Sequence, residues 1–213
     1  MFVVIFEVQP RPDHWDTYLA HAAALRPELA RIDGFIANDR FRSRTREGWL
    51  VSLSTWRDEK SLVRWRAHGG HHAVQADGRA RVFADYRLRV GAVIADTAPG
   101  AAPAPFGGET TAADPARTAL LIEAPNPVLD AAPDPAGALS ADRLDAILDP
   151  GAGLLLGLWR QTDPPTPELP GARCRVARIV RSYGMRDRAE APQFHAPAPA
   201  RPTPPTPAAT PRR

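Results

Sequence analysis

Leu50 to His72 reads LVSLSTWRDEKSLVRWRAHGGHH, and the change of rhythm inside it decides the fold. Trp49 to Trp56 alternates with the period of a strand that buries one face. Asp58 then suits the N-cap of a helix through Leu62, Val63 and Trp65. Gly69-Gly70 breaks that helix, and His71 to Phe83 can form a further helical stretch. The stretch also holds three of the chain's six histidines beside a tryptophan.

Working outward, Phe35 to Arg42 alternates too, with Phe35, Ala37, Asp39 and Phe41 facing one way and Ile36, Asn38, Arg40 and Arg42 the other. Thr45 to Gly48 reads as a turn, so the two strands form a hairpin. Phe2 to Val8 is almost continuously apolar and β-branched, as a strand covered on both faces should be. Pro10 and Pro12 end it, and Pro12 or Asp13 opens a helix. Trp15, Tyr18, Leu19, Ala22, Leu25, Leu29 and Ile32 recur there at helical spacing. Pro27 is expected to kink or split that helix, and Gly34 stops it. Tyr86 to Ala95 closes the series as another alternating strand, with Tyr86, Leu88, Val90, Ala92 and Ile94 on one face. The order β-α-β-β-α-β places two helices over one face of a small antiparallel sheet, the ferredoxin-like split pattern. The other face would leave Val3, Ile5 and Leu50 wet, which predicts a second sheet against it.

The second half supplies a worn copy of the same unit. Ala119 to Ala124 (ALLIEA) echoes Phe2 to Val8, and Leu154 to Gln161 (LLLGLWRQ) echoes Trp49 to Arg57, both ending in Trp-Arg. Arg173 to Gly184 (RCRVARIVRSYG) echoes Tyr86 to Ala95. A short helix from Ser140 to Leu148 is expected to replace the long first helix, and nothing corresponds to Trp65-His72. The reading is an α+β chain: a ferredoxin-like unit over 1–96, a Pro/Ala/Gly-rich linker over 97–117, a degenerate second unit over 118–190 and a Pro-rich tail over 191–213, disordered on composition. The two sheets are expected to face each other as a barrel-like pair.

Composition narrows the function. The 213 residues are 44% hydrophobic, enough for a core despite 24 prolines. The net charge of +3 matches Arg201, Arg212 and Arg213 in the tail, so no nucleic-acid role is inferred. Cys174 is alone, which excludes an internal disulfide and the two-cysteine metal motifs; it reads as a small apolar side chain in a strand. Phe2 to Val8 is too short for a membrane span or signal peptide and is interrupted by Glu7, so a cytoplasmic protein without a membrane partner is expected. No phosphate loop, dinucleotide fingerprint or Ser-His-Asp arrangement is visible.

An indole beside imidazoles suits an apolar, oxidisable substrate that must lose or gain a proton. Trp65 reads as a pocket wall or as core. His68, three residues on, can share its helix face and act as a general base, or sit charged at a helix end. His71-His72 reads as a capped, solvent-facing turn; adjacent residues do not readily point at one ion, so no metal site is assigned. Asn38 can hydrogen-bond a substrate carbonyl or be an edge-strand polar residue. Arg87 and Arg89 are expected to pair with Glu7 or Asp39 across the sheet, the alternative being a substrate anion. Tyr18 and Tyr86 pack, and either hydroxyl can serve a pocket.

Gly34-Phe35, the run Leu50 to Glu59, the helix Leu62-Val63-Arg64-Trp65-Arg66-Ala67-His68 and His71-His72 together resemble the antibiotic biosynthesis monooxygenase family of the dimeric α/β-barrel group. The resemblance covers about residues 2–95, and Tyr183-Gly184-Met185 looks like the family's usual final exit. It implies a pocket between sheet and helices, with Trp65 at the family's pocket tryptophan. Some members oxidise polycyclic phenols with molecular oxygen and no metal or flavin; others bind and open haem. The haem-degrading branch needs an asparagine where this chain has Glu7 or Val8, and an axial histidine further from the tryptophan than His71 or His72. The expectation is therefore a cofactor-independent monooxygenase acting on a small aromatic or polyketide-like molecule. Trp65, Asn38 and Tyr86 are expected to bind substrate, and His68 or His72 to take the proton. The alternatives are a non-catalytic ligand-binding or assembly module and a haem-binding protein. A homodimer, or a pseudo-dimer within one chain, would complete the barrel.

Overall fold

The computed structural model describes residues 1–192 and 198, apart from 102, 104, 105, 165 and 166. The expected tail, 191–213, falls almost entirely outside the described residues. The first unit contains β1 (Phe2–Pro10), α1 (Trp15–Ala30), β2 (Phe35–Ser43), β3 (Leu50–Trp56), α2 (Glu59–Arg66), α3 (Gly69–Asp77) and β4 (Phe83–Asp96). The second contains β5 (Thr118–Pro125), α4 (Asn126–Ala131), β6 (Ser140–Ala146), β7 (Ala152–Trp159) and β8 (Arg173–Gly184). The fold is α+β, a ferredoxin-like unit followed by a degenerate one.

The eight strands close into one barrel in the order β1-β3-β2-β6-β7-β5-β8-β4. Within it the first unit runs β2-β3-β1-β4 and the second β6-β7-β5-β8, which is the same order. All the pairings are antiparallel, and the seams are β2 with β6 and β4 with β8. Closure leaves no strand edge unpaired. The period of two then divides each strand. Val3, Ile5, Val51 and Leu53 face inward and meet Leu121, Leu154, Leu156 and Ile179 of the second unit. Burying each such side chain contributes about 1.5–3 kcal/mol, so the second sheet does for the first what a partner subunit would otherwise have to do. Leu50 differs from expectation: it belongs to the outer cluster with Val8 and Tyr18, not to the inward face.

One end of the barrel interior is ionic. Arg89 hydrogen-bonds Asp114 at 2.8 Å and also Glu7, and Arg46 reaches Glu7 at 3.0 Å and Asp142 at 2.8 Å. Burial pushes the Asp114 carboxyl up, but the Arg89 charge and hydrogen bonds from Ser182 and Ala116 outweigh it and hold it below the usual carboxylate range. Arg89 thus takes the expected Glu7, whereas Arg87 turns to Asp187 at 3.1 Å rather than to Asp39.

Several local expectations are corrected. Ser140 to Ala146 is strand β6, not a helix, and the second unit's helix is α4. The buried residues of β6 are Asp142 and Leu144, and an inward-facing acid disguises the strand's alternation. The helix α1 runs unbroken through Pro27, which lies one turn from its end and so removes a backbone bond without separating two helices. A register shift between Phe35 and Ala37 turns Phe35 outward, where its ring meets Trp56 at 5.5 Å while Phe41 stays inside. Asp58 caps α2 as expected, accepting from Ser61 N–H at 2.8 Å. Hydrogen bonds from the Ser61 hydroxyl and amide hold its carboxyl at about 2.

Candidate active site

A cavity of about 190 Å³ lies between the outer face of the first half-barrel and helices α1, α2 and α3. Its floor follows from strand alternation: the residues that do not face the barrel interior, such as Val4, Phe6, Ser52 and Ser54, are the ones that line it. Leu25, Leu29, Leu62 and Val74 supply its apolar roof. All three tyrosines of the chain, Tyr18, Tyr86 and Tyr183, line it as well.

Trp65, Asn38 and Tyr86 are in the lining; His68 and His72 are not. The helical phase explains this. The helix α2 ends at Arg66, and α3 starts afresh at Gly69 with His68 as its N-cap residue, so the glycines open a helix instead of only ending one. His68 turns toward α1, with Nδ1 3.4 Å from the Glu28 carboxylate. His71, which read as part of a solvent-facing turn, instead lies in α3 and lines the cavity. Its ring stacks on the Trp65 indole with centroids 4.5 Å apart and planes 17° from parallel. Nδ1 of His71 is 3.1 Å from the Trp65 carbonyl oxygen. A carbonyl can only accept, so Nδ1 carries the proton and Nε2 keeps its lone pair. Burial lowers the His71 pKa to about 4 against the hydrogen bond to Trp65, so the ring is neutral at ordinary pH.

Other lining residues were not read as site residues from sequence. His21 on α1 lines the cavity with Nε2 3.8 Å from the Asp77 carboxylate. Arg40 of β2 neighbours Tyr18, whose phenol pKa is raised by burial in spite of the Arg40 charge and hydrogen bonds from Arg40 and Ser52. Tyr183 and Arg188 come from the second unit and reach the cavity because β8 pairs with β4, Leu88 opposite Tyr183. Burial likewise raises the Tyr183 phenol. The alternation of β2 put Arg40 on Asn38's face; nothing in the sequence joined residue 188 to residue 86. Among the described residues no group of three or more His, Cys, Asp or Glu is placed to hold a metal ion, and no helix is long and apolar enough to cross a membrane.

Residues 1–77 match the family model for antibiotic biosynthesis monooxygenase. Jasmonate monooxygenase ABM of Pyricularia oryzae is 44% identical over 215 residues, spanning 93% of this chain and all of that protein. The chain belongs to the antibiotic biosynthesis monooxygenase family. Its function is of the monooxygenase type. Among solved structures, one from Fusobacterium nucleatum subsp. nucleatum aligns over 85% of this family member and 93% of its own chain, at 6% identity and a TM-score of 0.41. Another, from Mycobacterium tuberculosis, covers 50% of this chain and 98% of its own at 20% identity and a TM-score of 0.39.

Proposed function

We infer that this monooxygenase oxidises a small, mainly apolar cyclic molecule with molecular oxygen, drawing the electrons from the substrate itself without a tightly bound cofactor. The observation that carries this reading is the stack of the His71 ring on the Trp65 indole in the cavity wall. The indole offers a flat apolar surface for a ring, and the Nε2 lone pair next to it is an acceptor for an acidic C–H or O–H proton. The resulting electron-rich carbanion or phenolate reacts with oxygen. An activated CH₂ becomes C=O: one oxygen atom enters the substrate, and the other leaves as water with the two hydrogens. In this reading Asn38, whose Oδ1 accepts from the Ser52 hydroxyl at 3.3 Å, orients a substrate carbonyl. Proton removal thus moves from His68 and His72 to His71, with His21, backed by Asp77, as the second base. Closure of the barrel within one chain supports a protein active as a monomer.

Oxygen uptake by the full chain, measured with anthrone-type phenols and with jasmonate, tests the reading. Uptake in step with product is expected, with kcat/KM down at least about tenfold in Trp65→Ala. No uptake with any substrate, or uptake unchanged by Trp65→Ala, would sink it.

A further inference from the structure

The Tyr86 hydroxyl receives two guanidinium N–H groups. One comes from Arg79, in the π-helical segment Gly78–Val82 between α3 and β4, and the other from Arg188, beyond β8, at 2.9 Å. A phenol oxygen has two acceptor lone pairs and one proton to give. With both lone pairs occupied, the O–H is left to donate. Arg188 is anchored by the Gly184 carbonyl at 3.2 Å and lies over the Tyr183 ring at 5.5 Å. A Cβ on Gly184 would come within 2.8 Å of the Tyr86 carbonyl oxygen, so the close approach of β8 to β4 here needs glycine. Arg79, Tyr86 and Arg188 all line the cavity, and among the described residues no Asp or Glu side chain does.

We propose that Arg79, Tyr86 and Arg188 clamp the carboxylate of a small, otherwise apolar acid whose hydrocarbon part extends toward Trp65. The proposal rests on the reading of this cavity as the substrate site. Planar guanidinium donors match a carboxylate's two oxygens, and a charge-assisted pair inside a partly enclosed wall is stronger than one in water. One guanidinium comes from each unit, so the degenerate half supplies part of the specificity. Arg66 of α2 also lines the cavity, and a separate cationic position exists at Arg40, whose Nε is buried without a hydrogen-bond partner among the described residues. Arg40 and Tyr183 stand at the two ends of one row across five strands, through Ser52, Phe6 and Leu88, so the two positions can be told apart.

Calorimetric titration of the full chain with 3-phenylpropionate, 3-cyclopentylpropionate and 1-naphthylacetate, each beside its methyl ester, provides the test. The acids are expected to bind about tenfold to a hundredfold more tightly than the esters. In Arg79→Met and Arg188→Met that preference collapses while ester affinity holds, a split that loss of folding would not produce. Tyr86→Phe, the mildest change, lowers the preference without abolishing it. Equal binding of acid and ester, a preference that survives both arginine variants, or one that vanishes in Arg40→Met instead would overturn the clamp. If acid and ester bind equally and Trp65→Ala abolishes both, the clamp fails and the cavity reading stands; if no probe binds, both fail.

Discussion

Ser54 lies two residues before Trp56 on β3, and Gly157 lies two before Trp159 on β7; both tryptophans face the first residue of the adjacent strand, Phe2 in one half and Thr118 in the other. From these matching positions the two halves diverge. In the first, the Trp56 indole donates to the Ser54 hydroxyl at 2.9 Å, and Ser52 and Ser54 line an open cavity. In the second, Leu155 replaces the first serine and glycine the second, and the Trp159 ring folds over the glycine: a Cβ there would stand 2.4 Å from it. Trp159 donates to the Ala136 carbonyl at 3.2 Å and packs with Leu129, Leu155 and Cys174. Among the described residues no helix lies between β7 and β8, where the first half has α2 and α3. Closing a barrel takes two sheets, but a chain needs only one site. The second half is therefore free to exchange a roof of helices for solid packing, while β8 still lends Tyr183 and Arg188 to the first half's cavity.

The largest expected effect breaks this contrast directly. Trp159→Ala should cost about 3–5 kcal/mol, because the indole is fully buried and its loss leaves a void. Trp65→Ala should cost less, since that ring borders a cavity already. Urea melts of the two variants beside their activities check this; equal stability losses would mean that the halves are packed alike.

His71 gives the next effect, because among the described residues it has no titratable counterpart stacked on Trp159. Its folded pKa of about 4 lies below the ordinary histidine value, so the unfolded chain binds the proton more tightly. The stability that its neutral form contributes is complete above about pH 6.5 and is lost as pH falls toward 4, on the order of 3 kcal/mol in all. His71→Gln should flatten the melting-temperature profile over that window. A wild-type profile already flat there would refute the buried, neutral ring.

A smaller effect comes from making the second half resemble the first. Gly157→Ser should overpack Trp159 and cost about 1–3 kcal/mol, and the cost should shrink when Trp159→Ala is present. Denaturant melts of the single and double variants measure the coupling; strict additivity would show that the ring does not depend on the glycine.

Much of the first half can be read from its sequence because its elements are long or well punctuated. Residues 2–8 are apolar except for Glu7, α1 repeats Tyr18, Ala22, Leu25 and Leu29 at helical spacing, and Asp58 marks the joint between β3 and α2. Where reading fails, the element is short or its period is masked. Asp142 hides a strand, the irregularity at Phe35 reverses a face, and α3 restarts the helical phase so that His71 rather than His68 meets the cavity. The break at Ala67-His68 between α2 and α3 is invisible to a pattern count yet decides which imidazole can touch a substrate.

Sequence alone determined the alternating strands, the doubled unit and the family, because these depend on local period and on residue types at fixed spacing; it left Trp65 between pocket wall and core. Tertiary structure alone decided which half keeps a cavity, which histidine borders it, and that Tyr86 meets Arg79 and Arg188. Those outcomes depend on barrel closure and strand register, which bring together residues as distant in sequence as Tyr86 and Arg188, 102 positions apart. No local pattern encodes such a pairing; it follows from burying two apolar sheet faces against each other.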